Sequence, residues 1–212
     1  MPIDQAKLSA DNFSICIDKA VLDDRHLKGI SSKGNHTLQW DMEYKGTDDP
    51  LFFFPMKLYK TTLPKAKVLV SLPMAHFDGE LKVDDTPILI NGWIGSQNHN
   101  WGLKPTDLYA WGQVAGFDTH PDSFLEVATA RLKIGPLWTP FLTFLVLRHN
   151  GIEYKLNTLR QSYLAKGSFR YFEQNGMMLR LMPNILSNGN IIIKINFWHL
   201  LSKSFHLQSI NI

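Results

Sequence analysis

Hydrophobic side chains recur at every second position in one stretch after another, and no long stretch carries a helical period. Phe13, Ile15 and Ile17 alternate with Ser14, Cys16 and Asp18, and Leu38, Trp40, Met42 and Tyr44 alternate with Gln39, Asp41 and Glu43. A period of two sends successive side chains to opposite faces of an extended backbone, so these runs read as half-buried β-strands. Between them Asp23, Asp24, Gly29, Ser31, Ser32, Gly34 and Asn35 supply turn chemistry. A short apolar run spans 51–55, and Pro64 and Pro73 fence a strand over 66–72 from both sides. Phe77, Leu81 and Val83 alternate next, and 88–94 is a further strand. Residues 108–117 and 124–132 read as strands separated by a loop at 118–122 that contains Pro121. Strands at 142–148 and 152–156 flank Asn150-Gly151, a pair that tolerates positive φ at both positions and so predicts a tight hairpin turn. Gly135-Pro136 and Thr139-Pro140 interrupt pairing, 159–166 is the one segment with the character of a short helix, and 168–172 returns to strand. Many short strands punctuated by Gly and Pro define an all-β, antiparallel barrel or sandwich. The 12% of aromatic residues favours a barrel with a filled or ligand-holding interior.

Composition excludes several function classes. At 212 residues and 44% hydrophobic, the chain can bury a sizeable core in one or two domains. Cys16 is the single cysteine, so there is no internal disulfide framework. Neither a signal peptide at Met1-Pro-Ile-Asp nor an apolar run long enough for a membrane span is visible. The expectation is a soluble protein, cytoplasmic by default, with peripheral membrane contact left open. The net charge of +3 lies in the tail, where Arg180, Lys194 and Lys203 stand without any acid after Glu173. The body is neutral, which gives no support for a nucleic-acid partner. Eight histidines are scattered without zinc-like spacing, so no metal site is expected, and phosphate-loop, dinucleotide and nucleophile-elbow motifs are absent.

One stretch concentrates chemistry. Trp93, Trp101 and Trp111 bracket Gly95, Ser96, Gln97, Asn98, His99 and Asn100, so bulky rings flank donors and acceptors that carry no fixed charge. A loop of this kind suits a mostly apolar pocket with a few orienting polar groups. It equally suits a Gly-rich strand connection whose amides satisfy their own backbone. His99 alone among the histidines has a dense polar and aromatic setting in which proton transfer could be tuned. Glu126 stands inside the strand Phe124-Leu-Glu-Val-Ala-Thr-Ala-Arg131, on the face of Phe124 and Ala128, and alternation leaves open whether that face is cavity or solvent.

The segments Trp93-Ile-Gly-Ser-Gln-Asn-His99-Asn-Trp101-Gly102 and Tyr109-Ala-Trp111-Gly resemble the carotenoid 1,2-hydratases (hydroxyneurosporene synthases) and their AttH-like relatives, and more distantly tocopherol cyclase. Leu38-Gln-Trp40-Asp41, Pro64-Lys-Ala-Lys67 and Pro73-Met-Ala-His-Phe77-Asp-Gly79 extend the resemblance over residues 29–172. It implies consecutive lipocalin-like β-barrels with the His-x-Trp motif near their junction, an isoprenoid or other hydrophobic ligand, and no metal or organic cofactor. It also implies that the His and Trp pair with an aspartate on the strand after the motif to protonate a terminal C=C, which water then captures; here that strand offers Val127-Ala-Thr-Ala130 and, as an acid, only Glu126. The resemblance makes His99 and Glu126 the catalytic pair and Trp93, Gln97, Asn98, Trp101, Tyr109 and Trp111 the ligand-binding set. The alternatives are a lipocalin-like lipid carrier without chemistry and a truncated relative without function.

The domain expectation is a first barrel over 1–104, the start of a second, incomplete barrel over 105–175, and an atypical tail over 176–212. That tail, rich in Ile and Asn and without acid, has the character of an out-of-frame translation, and the resemblance implies a chain clipped at both ends. On that view the strands at 124–132 and 142–148 keep an unpaired edge, and the chain aggregates.

Overall fold

The computed structural model describes residues 6–9, 13–46, 49–165, 168–172, 176–180, 192–196 and 206–211. The expected alternation becomes an all-β, antiparallel, lipocalin-like fold with almost no helix. Its strands group into two compact units interleaved in sequence: unit 1 is 1–48 with 74–96, and unit 2 is 49–73 with 97–212.

Unit 1 is an antiparallel meander. Strands β1 (Lys7–Ser9), β2 (Ser14–Ile17), β3 (Ala20–Asp23), β4 (His26–Lys33) and β5 (His36–Lys45) pair in chain order. Strand β5 then pairs with the second half of a long strand, Ala66–Val83, from Leu38↔Val83 to Lys45↔His76. The alternation read from the sequence holds in β5, where Trp40, Met42 and Tyr44 turn inward, while Leu38 is left exposed. Tyr44 stacks on its cross-strand partner Phe77 with ring centroids 5.5 Å apart. Gly29, Ser31 and Ser32, expected in a turn, lie within β4, where Gly29 faces the indole of its partner Trp40 so closely that a Cβ would stand 2.4 Å from it.

Unit 2 begins with β6 (Leu51–Phe52) and a four-residue helix α1 (Met56–Tyr59). Strand β7 (Ala66–Val83) starts in this unit, pairs with β6 through Leu51↔Val70 and Phe52↔Leu69, and runs on into unit 1. Pro73 therefore does not end the strand, contrary to the expectation. It sits between the stretch paired to β6 and the stretch paired to β5, where the missing N–H breaks no rung of either ladder. Strand β8 (Thr86–Gly102) pairs with β7, so the Trp- and Asn-rich motif is strand and not loop. Backbone pairing overrides the weak strand propensity of its Gly and Asn residues.

A four-stranded sheet carries the rest of unit 2: β9 (Leu108–Phe117), β10 (His120–Arg131), then, beyond the small hairpin of β11 (Lys133–Ile134) and β12 (Leu137–Trp138), β13 (Leu142–His149) and β14 (Ile152–Leu156). Its order is β14-β13-β10-β9, open at both ends among the described residues. The expectation of an unpaired edge is corrected here: β10 and β13 are interior strands, paired on both sides. The loop expected at 118–122 shrinks to a two-residue turn with a register irregularity between His120 and Phe124. The Asn150-Gly151 turn forms as expected, with φ of 50° and 74° closing the β13–β14 hairpin. Helix α2 (Leu159–Leu164) is started by Thr158, whose hydroxyl accepts from the Gln161 N–H while the Gln161 side chain reaches back to Thr158.

The register sorts side chains by face. Val114, Leu125, Val127, Leu145, Leu147 and Leu156 form the core on one face, joined by Ala165 after α2. Trp111, Gln113, Glu126, Ala128, Phe144 and Val146 belong to the other. From Ser123 to Val127 every residue of β10 is buried, so both faces are covered. Strands β15 (Ser168–Phe172) and β16 (Gly176–Arg180) pair with each other, as do β17 (Ile192–Asn196) and β18 (His206–Asn211). The expected out-of-frame tail lies largely outside the described residues. No helix among the described residues is long and apolar enough to cross a membrane.

Candidate functional site

The site lies on the face of the four-stranded sheet away from its core, entirely within unit 2. Trp111 on β9 and Phe144 on β13 stand on either side of Ala128 on β10, and one rung further along Tyr109 and Leu142 flank Ala130. Alanines in the middle strand and large rings beside them leave a trough. Above it come Phe53 and Phe54 from the segment after β6, held by Arg148, which donates to the carbonyls of Asp49 and Pro50. Phe54 meets Phe144 edge to face at 5.1 Å. Tyr59 at the end of α1 takes the Phe54 N–H and donates to the Val68 carbonyl at 2.7 Å, which ties segment, helix and β7 together. Rings then run from Tyr59 to Trp101 at 6.0 Å and on to His99, stacked on Trp101 at 5.0 Å. The cavity, about half open to solvent, has a volume of about 840 Å³ and a mostly apolar wall.

Gly102 lets β8 close this wall. Its φ of 152° and the Lys65 carbonyl, which would lie 1.9 Å from a Cβ, admit only glycine, and the next N–H, that of Leu103, donates to the same carbonyl at 3.0 Å.

Glu126 sits on the same face, one rung from Trp111, with no solvent exposure. The Trp111 Nε1–H donates to its Oε1 at 3.0 Å, while Oε2 has no hydrogen-bond partner. Burial pushes the carboxyl up to about 7, against the opposing pull of the Trp111 N–H. Opposite Glu126 on β9, Gln113 exchanges two amide hydrogen bonds with Asn98, at 3.2 and 3.1 Å. Burial also raises the Tyr59 phenol.

At this level of detail the chain can be set beside known proteins. Two proteins of Mycobacterium tuberculosis, from strains CDC 1551 / Oshkosh and ATCC 25618 / H37Rv and both called uncharacterized protein, are 33% identical to it over 95 residues. The matched stretch covers 44% of this chain and 28% of each relative, so the chain spans little more than a quarter of the proteins it matches. No family model matches the chain, and no solved structure matches it at a significant level.

Of the residues singled out in the sequence, Trp101, Tyr109 and Trp111 line the cavity. Glu126 reaches it through Trp111. Asn98 is tied to Gln113 on the adjoining strand, and Gln97 is half-buried beside it. His99 is exposed, joined to the aromatic series only by its stacking on Trp101. Trp93 belongs to unit 1 and is half exposed. Sequence reasoning missed Phe53, Phe54, Tyr59, Lys67 and Phe144, all of which take part in the wall or its support. The run Phe52-Phe53-Phe54 was a usable signal. Tyr59 had none, because a four-residue helix leaves no period to read.

Proposed function

We propose that this chain binds an isoprenoid or similar hydrophobic ligand in the cavity of unit 2 and acts on it as a cofactor-independent hydratase or cyclase, with Glu126 as the proton donor. The observation that carries the reading is a fully buried carboxyl with one unpartnered oxygen, held by a tryptophan that lines an apolar cavity. Because the indole N–H occupies Oε1, the neutral acid carries its proton on Oε2, where no protein group accepts it. Transfer of that proton to one carbon of a C=C bond forms a C–H bond and leaves a tertiary cation on the other. The faces of Trp101, Tyr109 and Trp111 stabilise such a cation. Water then adds through oxygen and returns a proton to the carboxylate, or a second double bond attacks and closes a ring, and the cation this leaves on the other carbon of that bond is discharged by loss of a neighbouring C–H proton to the carboxylate. His99, exposed on the same aromatic series, is in this reading the group that exchanges protons with solvent. The resemblance of the Trp93–Trp111 motif to carotenoid 1,2-hydratases and AttH-like proteins supports the assignment.

Incubation with an acyclic prenyl alcohol or carotenoid in ¹⁸O-labelled water tests it. Label incorporation or cyclisation that is lost in Glu126→Gln, with ligand binding retained, is the expected result; turnover unchanged in that variant overturns the role of Glu126. A second reading, a carrier without chemistry, is favoured by one feature: neither His99 nor Glu126 is itself among the side chains that line the cavity. Tight binding with no turnover in any variant is its signature.

A further inference from the structure

The cavity wall is apolar except at a few points, and its charge is one-sided. Lys67 and Lys104 are the charged side chains among its lining residues, and no carboxylate joins them there. Lys104 is neutralised locally: its Nζ lies 2.7 Å from Asp107 Oδ1, and the other oxygen of Asp107 accepts the Lys133 N–H. Lys67 differs. Its Nζ donates to the carbonyls of Tyr59, at 3.1 Å, and Thr61, and it pairs with no carboxylate among the described residues. Two carbonyl dipoles orient the ammonium without cancelling its charge, and of its three donors one remains. An ammonium held by backbone carbonyls at the edge of an apolar cavity, with no carboxylate beside it, is a ready partner for an anionic ligand group. Glu126 does not bring the counter-charge: it accepts from Trp111 and forms no ion pair with Lys67. The simplest account of Lys67 is as a staple for the turn after α1, but that role needs only a donor and not a charge facing the cavity.

We propose that the natural ligand is an amphiphile with a single anionic head group, a carboxylate or a phosphate monoester, seated at Lys67 with its hydrocarbon chain against the rings of Phe54, Trp101, Trp111 and Phe144. This rests on the cavity being a hydrophobic-ligand site and adds the chemistry of the ligand's polar end. It also gives the site an orientation: the head stays at the lysine while the chain lies against the trough over Ala128 and Ala130.

The test uses the full chain and three probes, oleate, farnesyl monophosphate and farnesol, with binding read from tryptophan fluorescence and titration calorimetry. At least one anion binds about tenfold or more tightly than farnesol, and raising the salt concentration narrows that gap because the pairing is screened. Lys67→Met abolishes the gap between the anions and farnesol, which is read as a ratio within the variant. Which anion gains more separates a carboxylate head from a phosphate. Farnesol binding as tightly as both anions, or a gap that survives both salt and Lys67→Met, overturns the proposal while leaving the cavity a hydrophobic site. Failure of all three probes to bind removes the cavity reading itself. Should Lys67→Met disturb the turn after α1, the salt series on the unaltered protein decides the question alone.

Discussion

At the scale of single residues the account turns on Glu126 and Trp111. Burial raises the folded-state carboxyl from an ordinary value of 4.5 to about 7, so the folded protein keeps a proton that the unfolded chain gives up in between. The associated stability is fully present below pH of about 4.5 and is lost as pH rises through about 7, amounting to roughly 3 kcal/mol at alkaline pH. Glu126→Gln mimics the neutral acid. Chemical denaturation across pH 5 to 9 is expected to show the wild type losing most of that amount relative to the variant, and parallel curves contradict the shift. Trp111→Phe keeps a ring but removes the N–H, which leaves both carboxyl oxygens without a donor. The expected result is an apparent pKa above about 7 and a further loss of about 1–3 kcal/mol at pH 8, where the group is charged; an unchanged profile shows that the hydrogen bond does not hold the acid.

At the scale of elements, what the sequence revealed depended on whether one face of a strand stays dry. Strand β9 was read to the residue, and the β13–β14 hairpin was read from Asn150-Gly151, because both signals are local. Strand β10 is buried on both faces, so its polar–apolar alternation carries little information and the direction of Glu126 could not be read. Pro73 misled because a proline stops a strand only where a partner needs its N–H, and here the partners change at that residue. The composition of β8 suggested a loop, since the pairing with β7 that makes it a strand lies outside any local window. Phe53 and Phe54 reach the cavity by packing on Phe144, and Tyr59 is anchored to the Val68 carbonyl, contacts that no spacing announces. Gly102 was legible as part of a motif but not as a close approach to Lys65. Gly102→Ala is expected to force β8 away from that carbonyl, lowering stability by about 1–3 kcal/mol and weakening ligand binding with it. Wild-type affinity for a prenyl alcohol in this variant, followed by tryptophan fluorescence, rules out a role for that contact in closing the wall.

At the scale of the whole molecule, interleaving decides how function can be assayed. Unit 2 draws its wall from 49–73 and its sheet from beyond 97, so no simple truncation isolates the cavity, and binding is measured on the entire chain. The central claim is that a buried glutamic acid, hydrogen-bonded to a tryptophan of a largely apolar cavity, is poised to give up its proton. Carbon NMR titration of the Glu126 carboxyl, with and without saturating farnesol, addresses it most directly. The account predicts a midpoint near 7 in the free protein and a higher one when an apolar chain fills the cavity and displaces water from beside the acid. A midpoint in the ordinary glutamate range, unmoved by farnesol, would contradict it.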